Sequence, residues 1–194
     1  MNGRIDPREL VIDKRELYAR LGSPLDSDIE GFDRLYEMLL SVAKPAYTAA
    51  YVSLSRQKEN IILGNAEINS RALQEVCRES EECVLLAATL GIGVDRLMLK
   101  TASISARDAF IIDAVSDALI ESLCDRAEET VCAGKEHSSR FSPGYADLAL
   151  SVGEEILKIT DAERTLGIKL SASGLMIPKK SVNAIIAIKS RDTK

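Results

Sequence analysis

The 194-residue sequence has no tryptophan, three phenylalanines and a single histidine, His137. Chemistry that needs a histidine pair or triad is therefore beyond this chain alone. The four cysteines, Cys77, Cys83, Cys124 and Cys132, form no C-x-x-C, so neither a zinc site nor a thioredoxin-like pair is indicated. They read as reduced, mostly buried structural thiols. No stretch approaches the roughly 18 to 20 unbroken apolar residues of a membrane helix, and the N-terminus MNGRIDPREL lacks the basic and apolar regions of a secretory signal. A soluble, cytoplasmic protein with no membrane partner is expected. Positive charge is also short, with 25 Lys and Arg against 30 Asp and Glu. The net charge of −5 argues against a broad nucleic-acid interface.

What is present is enough apolar material, 46% of residues, for one domain over 1–194, with 1–26 as an N-terminal arm. The arm carries apolar clusters around Leu10 to Ile12 and Leu17 to Leu21, closed by Gly22-Ser23-Pro24. Ser27-Asp28-Ile29-Glu30 has the spacing of a capping box, and Ile29, Phe32, Tyr36, Leu39 and Ala43 continue it as a helix that should stop at Pro45. Tyr47 to Leu54 and Asn60 to Leu63 read as a hairpin around polar residues 56–59. Ser70 is placed to cap a helix whose inner face is Leu73, Val76 and Cys77. The run CVLLAATL, Cys83 to Leu90, lacks helical period and suits a central strand buried on both faces.

The longest helical pattern runs from Ser105 to Cys132, with Ile112, Val115, Leu119 and Leu123 on one face. Asp117, Glu121, Asp125 and Glu128 share another face, which on composition alone is a hydrated surface. Residues 133–147 read as irregular, a helical stretch runs to about Gly167, and Ile168 to Leu170 and Val182 to Ile188 are candidate strands. This order of elements predicts an α+β fold, a mainly antiparallel mixed sheet flanked by helices.

Two motifs carry weaker chemical signals. Gly91-Ile92-Gly93-Val94-Asp95-Arg96 begins like a dinucleotide fingerprint, but Arg96 replaces the third glycine, so a strand-to-helix turn is the better reading. His137 follows Glu136 in a loop with no second ligand nearby, and reads as a solvated loop histidine. The segment Arg140-Phe141-Ser142-Pro143-Gly144-Tyr145 is richer. Pro143 fixes φ and Gly144 permits φ > 0, so the turn can aim backbone groups at one point. Arg140 can grip a carboxylate in a two-pronged pair, and Tyr145 offers a ring and a hydroxyl. The combination suits an amino-acid-like ligand; the plain alternative is a rigid turn whose arginine pairs with a local aspartate.

The stretch RFSPGYAD, then a helix, then DAERTLGIKLSASGLMIPKKSVNAIIAI, resembles the activation domain of cobalamin-dependent methionine synthase. The likeness spans the whole chain and is closest to free-standing short forms; ATLGIGVD, CDRAEETVC and YARLG share it. The resemblance implies a domain that binds S-adenosylmethionine in a shallow groove, with Arg140 on the ligand's carboxylate and the Ser142 backbone on the adenine. It further implies Tyr145 along the groove, Pro143 and Gly144 shaping it, and Glu121 on the amino group. No catalytic side chain and no protein-bound metal are implied. The function that follows is reactivation: oxidised cobalamin, carried by a partner methionine synthase or other corrinoid protein, is reduced by a flavodoxin- or ferredoxin-like donor. S-adenosylmethionine then remethylates it, which draws the unfavourable reduction forward, with the chain a module of a methyltransferase system rather than a complete enzyme. The sequence departs from the family pattern at Ala146, where glycine is frequent, and at Ala172, where the family has glutamate. The competing reading is a non-catalytic interaction or capping subunit of a corrinoid protein that no longer binds S-adenosylmethionine.

Overall fold

The computed structural model describes residues 1–25, 27–57 and 59–190. The chain opens with strand β1 (Asn2–Arg4), a 3-10 turn (Pro7–Glu9) and helix α1 (Lys14–Arg20). Asp13 starts α1 by accepting the backbone N–H groups of Arg15 and Glu16 at 2.8 and 3.2 Å. Leu10 and Leu17 are buried in the main core, so this N-terminal arm is packed into the domain.

The capping box is not used. Helix α2 (Phe32–Val42) begins after Gly31, whose φ of 76° reverses the chain, and the Ser27 hydroxyl is buried without a hydrogen-bond partner among the described residues. A left-handed residue cannot sit inside a right-handed helix, so the local signal four residues upstream is cut off. At its other end α2 stops two residues before Lys44-Pro45, as the proline requires.

Strands β2 (Ala46–Ser53), β3 (Ser55–Gln57), β4 (Asn60–Leu63) and β5 (Ala66–Ile68) follow. The expected hairpin between Tyr47–Leu54 and Asn60–Leu63 is corrected here. Strand β4 pairs with β3 and β5 in a small sheet, whereas β2 lies between β1 and a later strand. The reason is burial: residues 46–49 are all buried and need cover on both faces, which a two-stranded hairpin does not provide.

Next come α3 (Arg71–Val76), β6 (Ser80–Thr89), α4 (Ile92–Ala102) and α5 (Ala106–Val131). Ser70 caps α3 through Leu73 N–H at 3.0 Å and Ser105 caps α5 through Asp108 N–H at 3.2 Å. Gly91, at φ 85°, makes the turn from β6 into α4. The helical stretch expected up to Gly167 divides into α6 (Val152–Ile159) and α7 (Ala162–Leu166), because Asp161 takes φ 54°. Strands β7 (Lys169–Leu170), β8 (Met176–Ile177) and β9 (Ser181–Lys189) end the described chain.

The main sheet has the order β1-β2-β6-β9 with every pair antiparallel, which removes the parallel βαβ setting that the GIGVDR motif would need. Alternation along β6 divides the core. Val84, Leu86 and Ala88 face a layer made by α1, α2, α4 and α5, while Cys83 and Leu85 face α6 and the small sheet. Ile112, Val115, Leu119 and Leu123 of α5 are buried in the same cluster as Val84, Leu86 and Ala88, as their spacing predicts. Among the described residues no helix is long and apolar enough to cross a membrane.

Candidate functional site

The irregular segment between α5 and α6 is tied to the free edge of β9. Lys189 N–H donates to Glu136 O, Ser138 N–H to Ala187 O, and Phe141 and Ile185 exchange both backbone hydrogen bonds, all at 2.9 Å. The segment therefore runs along this edge through two isolated bridges, His137 to Ile188 and Phe141 to Ile185, with a one-residue slip of register between them, and at the second bridge neighbouring side chains go to opposite faces. Phe141 enters the core with Leu85, Ile185 and Val152, and Arg140 goes the other way, onto α5.

Beyond Phe141 the chain turns sharply. Tyr145 N–H donates to Ser142 O at 3.1 Å across Pro143-Gly144, with Gly144 at φ 88°, the signature of a type II turn. A Cβ at Gly144 would lie 2.7 Å from Leu150 Cδ2. Ala146 then takes φ 51°, and Leu148 N–H returns to Tyr145 O at 3.0 Å. Asp147 fixes the far end: its carboxylate accepts the Ser70 hydroxyl at 2.6 Å and the Arg71 N–H at 2.8 Å. Those hydrogen bonds hold the Asp147 carboxyl below its usual range, against a smaller desolvation effect.

Arg140 is the electrostatic centre. Its guanidinium lies 2.7 Å from Asp125, 2.7 Å from Glu128 and 2.9 Å from Glu121, three carboxylates spaced four and three residues apart on α5. Burial works to lower its pKa, but the hydrogen bond to Asp125 and the surrounding negative charge outweigh it and hold the guanidinium above its ordinary value. The carboxylates differ in freedom: Glu121 and Asp125 are 56% and 65% exposed, Glu128 only 15%. His137 Nδ1 lies 3.4 Å from Glu128, so the histidine read as solvated is half-buried beside the network.

A groove of about 480 Å³ opens here, lined by Glu121, Asp125, Glu128, Arg140, Ser142 and Val182 among others. A second depression of about 450 Å³ lies on the α1 side and shares Glu121, Asp125 and Arg140 with it. Further along α5, buried Lys180 sits 2.9 Å from Asp113 and bonds Asp117, which also pairs with Arg20. The stripe that read as a hydrated face is thus a row of carboxylates laced to cations from α1, the 140 loop and the start of β9.

The residues expected to act together are partly gathered. Glu121, Arg140 and Ser142 line one groove, and Pro143 and Gly144 form the turn beside it. Tyr145 stands outside that lining, 69% exposed, its ring edge-on to Phe141 at 5.7 Å between centroids. Asp125, Glu128 and Asp147 carry more of the geometry than their sequence context suggested. All four cysteines are buried and free, with burial pushing Cys77 and Cys132 to about 11 and Cys83 and Cys124 to about 12. None is a ready nucleophile at neutral pH. Among the described residues no group of His, Cys, Asp and Glu is arranged to hold a metal ion.

No protein-family model matches the sequence, and no curated protein matches it either. Among solved structures, the chain is similar to a crystal structure of the MetH reactivation domain bound to AdoHcy, with a TM-score of 0.70 at 16% identity. The match covers 100% of this chain and 79% of that one. The chain thus has the fold of the MetH reactivation domain, a single α+β domain with an antiparallel sheet and flanking helices.

Proposed function

We propose that the groove beside Arg140 binds S-adenosylmethionine, and that the protein serves reductive remethylation of cobalamin held by a partner methionine synthase or other corrinoid protein. The observation that carries this reading is the meeting of Arg140 and Glu121 at 2.9 Å beside the Pro143-Gly144 turn, in a fold whose solved counterpart binds AdoHcy. A zwitterionic amino-acid end needs a cation and an anion side by side, and these two side chains supply them.

Arg140 takes the ligand's carboxylate and Glu121 its amine; the exposed carboxylates swing aside while Glu128 keeps the guanidinium oriented. The Ser142 backbone faces the adenine, and Tyr145 closes the rim. Bound S-adenosylmethionine supplies an electrophilic methyl group; the residues of this chain supply position, which is catalysis by proximity. The cobalamin arrives on the partner and the electron from a flavodoxin- or ferredoxin-like donor. Support for a docking face comes from Tyr145, Leu150 and Leu175, each more than half exposed around the turn.

Isothermal titration with S-adenosylmethionine tests the reading. Wild type is expected to bind saturably at or below millimolar ligand, and Arg140→Ala, checked for folding by thermal melting, to bind at least about tenfold more weakly. Absence of binding by wild type up to millimolar ligand overturns it.

A second reading, a non-catalytic subunit of a corrinoid protein, draws on one observation: the Arg140 guanidinium already has three carboxylate partners. It predicts capture of a corrinoid protein that is indifferent to both S-adenosylmethionine and Arg140→Ala.

A further inference from the structure

Helices α4 and α5, joined through residues 103–105, pack against each other as a helical hairpin. Their outer faces meet in a groove of about 570 Å³ lined by Met98, Leu99, Ala102, Ala106, Ala109 and Phe110. Positions 98, 99 and 102 on one helix and 106, 109 and 110 on the other have the spacing of a helix face, so each helix turns a second apolar stripe away from the core. Leu99, Phe110 and the intervening Ile104 are each more than half exposed. A contiguous apolar patch of this kind marks a contact surface.

The chain as a whole has a net charge of −5, yet the charges left free around this groove are positive. Asp95 is engaged by the Lys179 N–H at 2.8 Å, Asp113 by Lys180 at 2.9 Å and Asp108 by Arg34 at 2.9 Å. Arg96 and Lys100, one turn apart on α4, are exposed and form no ion pair among the described residues. Arg107 meets the already engaged Asp108 at 3.6 Å, and exposed Lys179 stands at the far end of the groove, 3.7 Å from Asp113.

We infer that the α4–α5 groove is a docking site for an amphipathic helix of a partner protein, apolar on one face and acidic along its flanks. A third helix fits between two others at an interaxial distance of about 8–10 Å, and α4, about 16 Å long, matches about three turns of it. The three alanines leave room for large side chains from the incoming helix, and Leu99 and Phe110 flank them. The free cations favour acidic flanks. They also oppose a second copy of this chain as the occupant, which would bring one cationic rim against another. Phe110 precedes Glu121 by about 16 Å of helix, so the docking site and the Arg140 groove are separate, and the inference does not depend on what that groove binds.

The probe is a fluorescein-labelled synthetic peptide of about 15 residues, held helical by a side-chain cross-link, with leucines on one face and glutamates elsewhere. Fluorescence anisotropy is expected to show saturable binding to wild type with a Kd on the order of 10–100 μM, weakening as salt rises from ~0.05 to ~0.5 M. Leu99→Ser and Phe110→Ser, at exposed positions and checked for folding by thermal melting, should each weaken binding at least about fivefold. Arg96→Glu combined with Lys100→Glu should weaken it about tenfold, and a peptide with lysine in place of glutamate should bind wild type at least about tenfold more weakly. No binding of the glutamate peptide up to ~1 mM, equal binding of the lysine peptide, or binding that survives both serine variants overturns the inference. So does sedimentation of the protein alone as a concentration-dependent dimer that Leu99→Ser abolishes, which gives this face to a second copy.

Discussion

Ala146 is the one residue of the 140–147 segment whose backbone conformation its side chain opposes, and replacing it with glycine is a quantitative test of the loop. Its φ of 51° is left-handed, and the hydrogen bond from Leu148 N–H to Tyr145 O keeps it there. An L-residue with a Cβ is strained in that region by about 1–2 kcal/mol. Glycine removes the strain but widens the unfolded ensemble, which costs about 0.4–1 kcal/mol. Ala146 is exposed, so no packing is lost with its methyl group. The balance for Ala146→Gly is a gain of about 0.5–1 kcal/mol, or about 1–4 °C in Tm for a chain of this length. Differential scanning calorimetry checks it against Ala118→Gly in the middle of α5, where the same substitution is expected to lose about 1 kcal/mol. If the two variants fall in Tm by similar amounts, the loop does not impose a left-handed residue at 146, and the geometry given for the turn is wrong.

Two other perturbations address the loop's anchor and the turn into α4. The Asp147 carboxyl is depressed in the folded state by the Ser70 hydroxyl and the Arg71 N–H, so its contribution is present above the ordinary carboxylate range and lost as pH falls through the folded value. Amide exchange protection across 140–148 should therefore weaken as pH falls from about 5 into and below the ordinary carboxylate range, and Asp147→Asn should flatten that dependence; a profile identical to wild type counts against the anchor. Gly93→Ala would place a Cβ 2.6 Å from the Val42 carbonyl oxygen, a backbone atom with no flexible end to move. Chemical denaturation should show a loss of about 1–3 kcal/mol, and a loss well below that would mean α2 and α4 are free to separate.

Elements stabilised by their own pattern were legible in the sequence. The 26 residues of α5 repeat their apolar positions over seven turns, and the run Cys83 to Leu90, all but its last residue in β6, has no polar face to expose, so neither has a competing local solution. Reading failed where a local signal met a tertiary constraint. The capping box at Ser27 is chemically sound, yet Gly31 turns the chain before a helix can use it. Residues 47–54 are β-prone, but propensity does not name the partner, and burial on both faces took β2 into the main sheet.

The same distinction separates what was readable in the site from what was not. Pro143 and Gly144 declare a turn within two residues, because each restricts or frees its own φ. Arg140 declares a need for negative charge, but the sequence offers many carboxylates and no rule for choosing among them. The choice is made by β9: pairing with Ile185 fixes which face Phe141 takes, that sends Arg140 to the opposite side, and α5 there presents Glu121, Asp125 and Glu128 along one stripe. The i, i+4, i+7 spacing was visible as a helical face, and its surplus charge became meaningful only once a single cation was seen to face all three. The loop is thus held from three sides, by β9 through its backbone, by α3 through Asp147 and by α5 through Arg140. A ligand that takes Arg140 replaces only the last of these. The first two stay in place, so the turn at Ser142–Tyr145 keeps its shape while the guanidinium changes partners, which is the condition for a preorganised groove with an exchangeable grip.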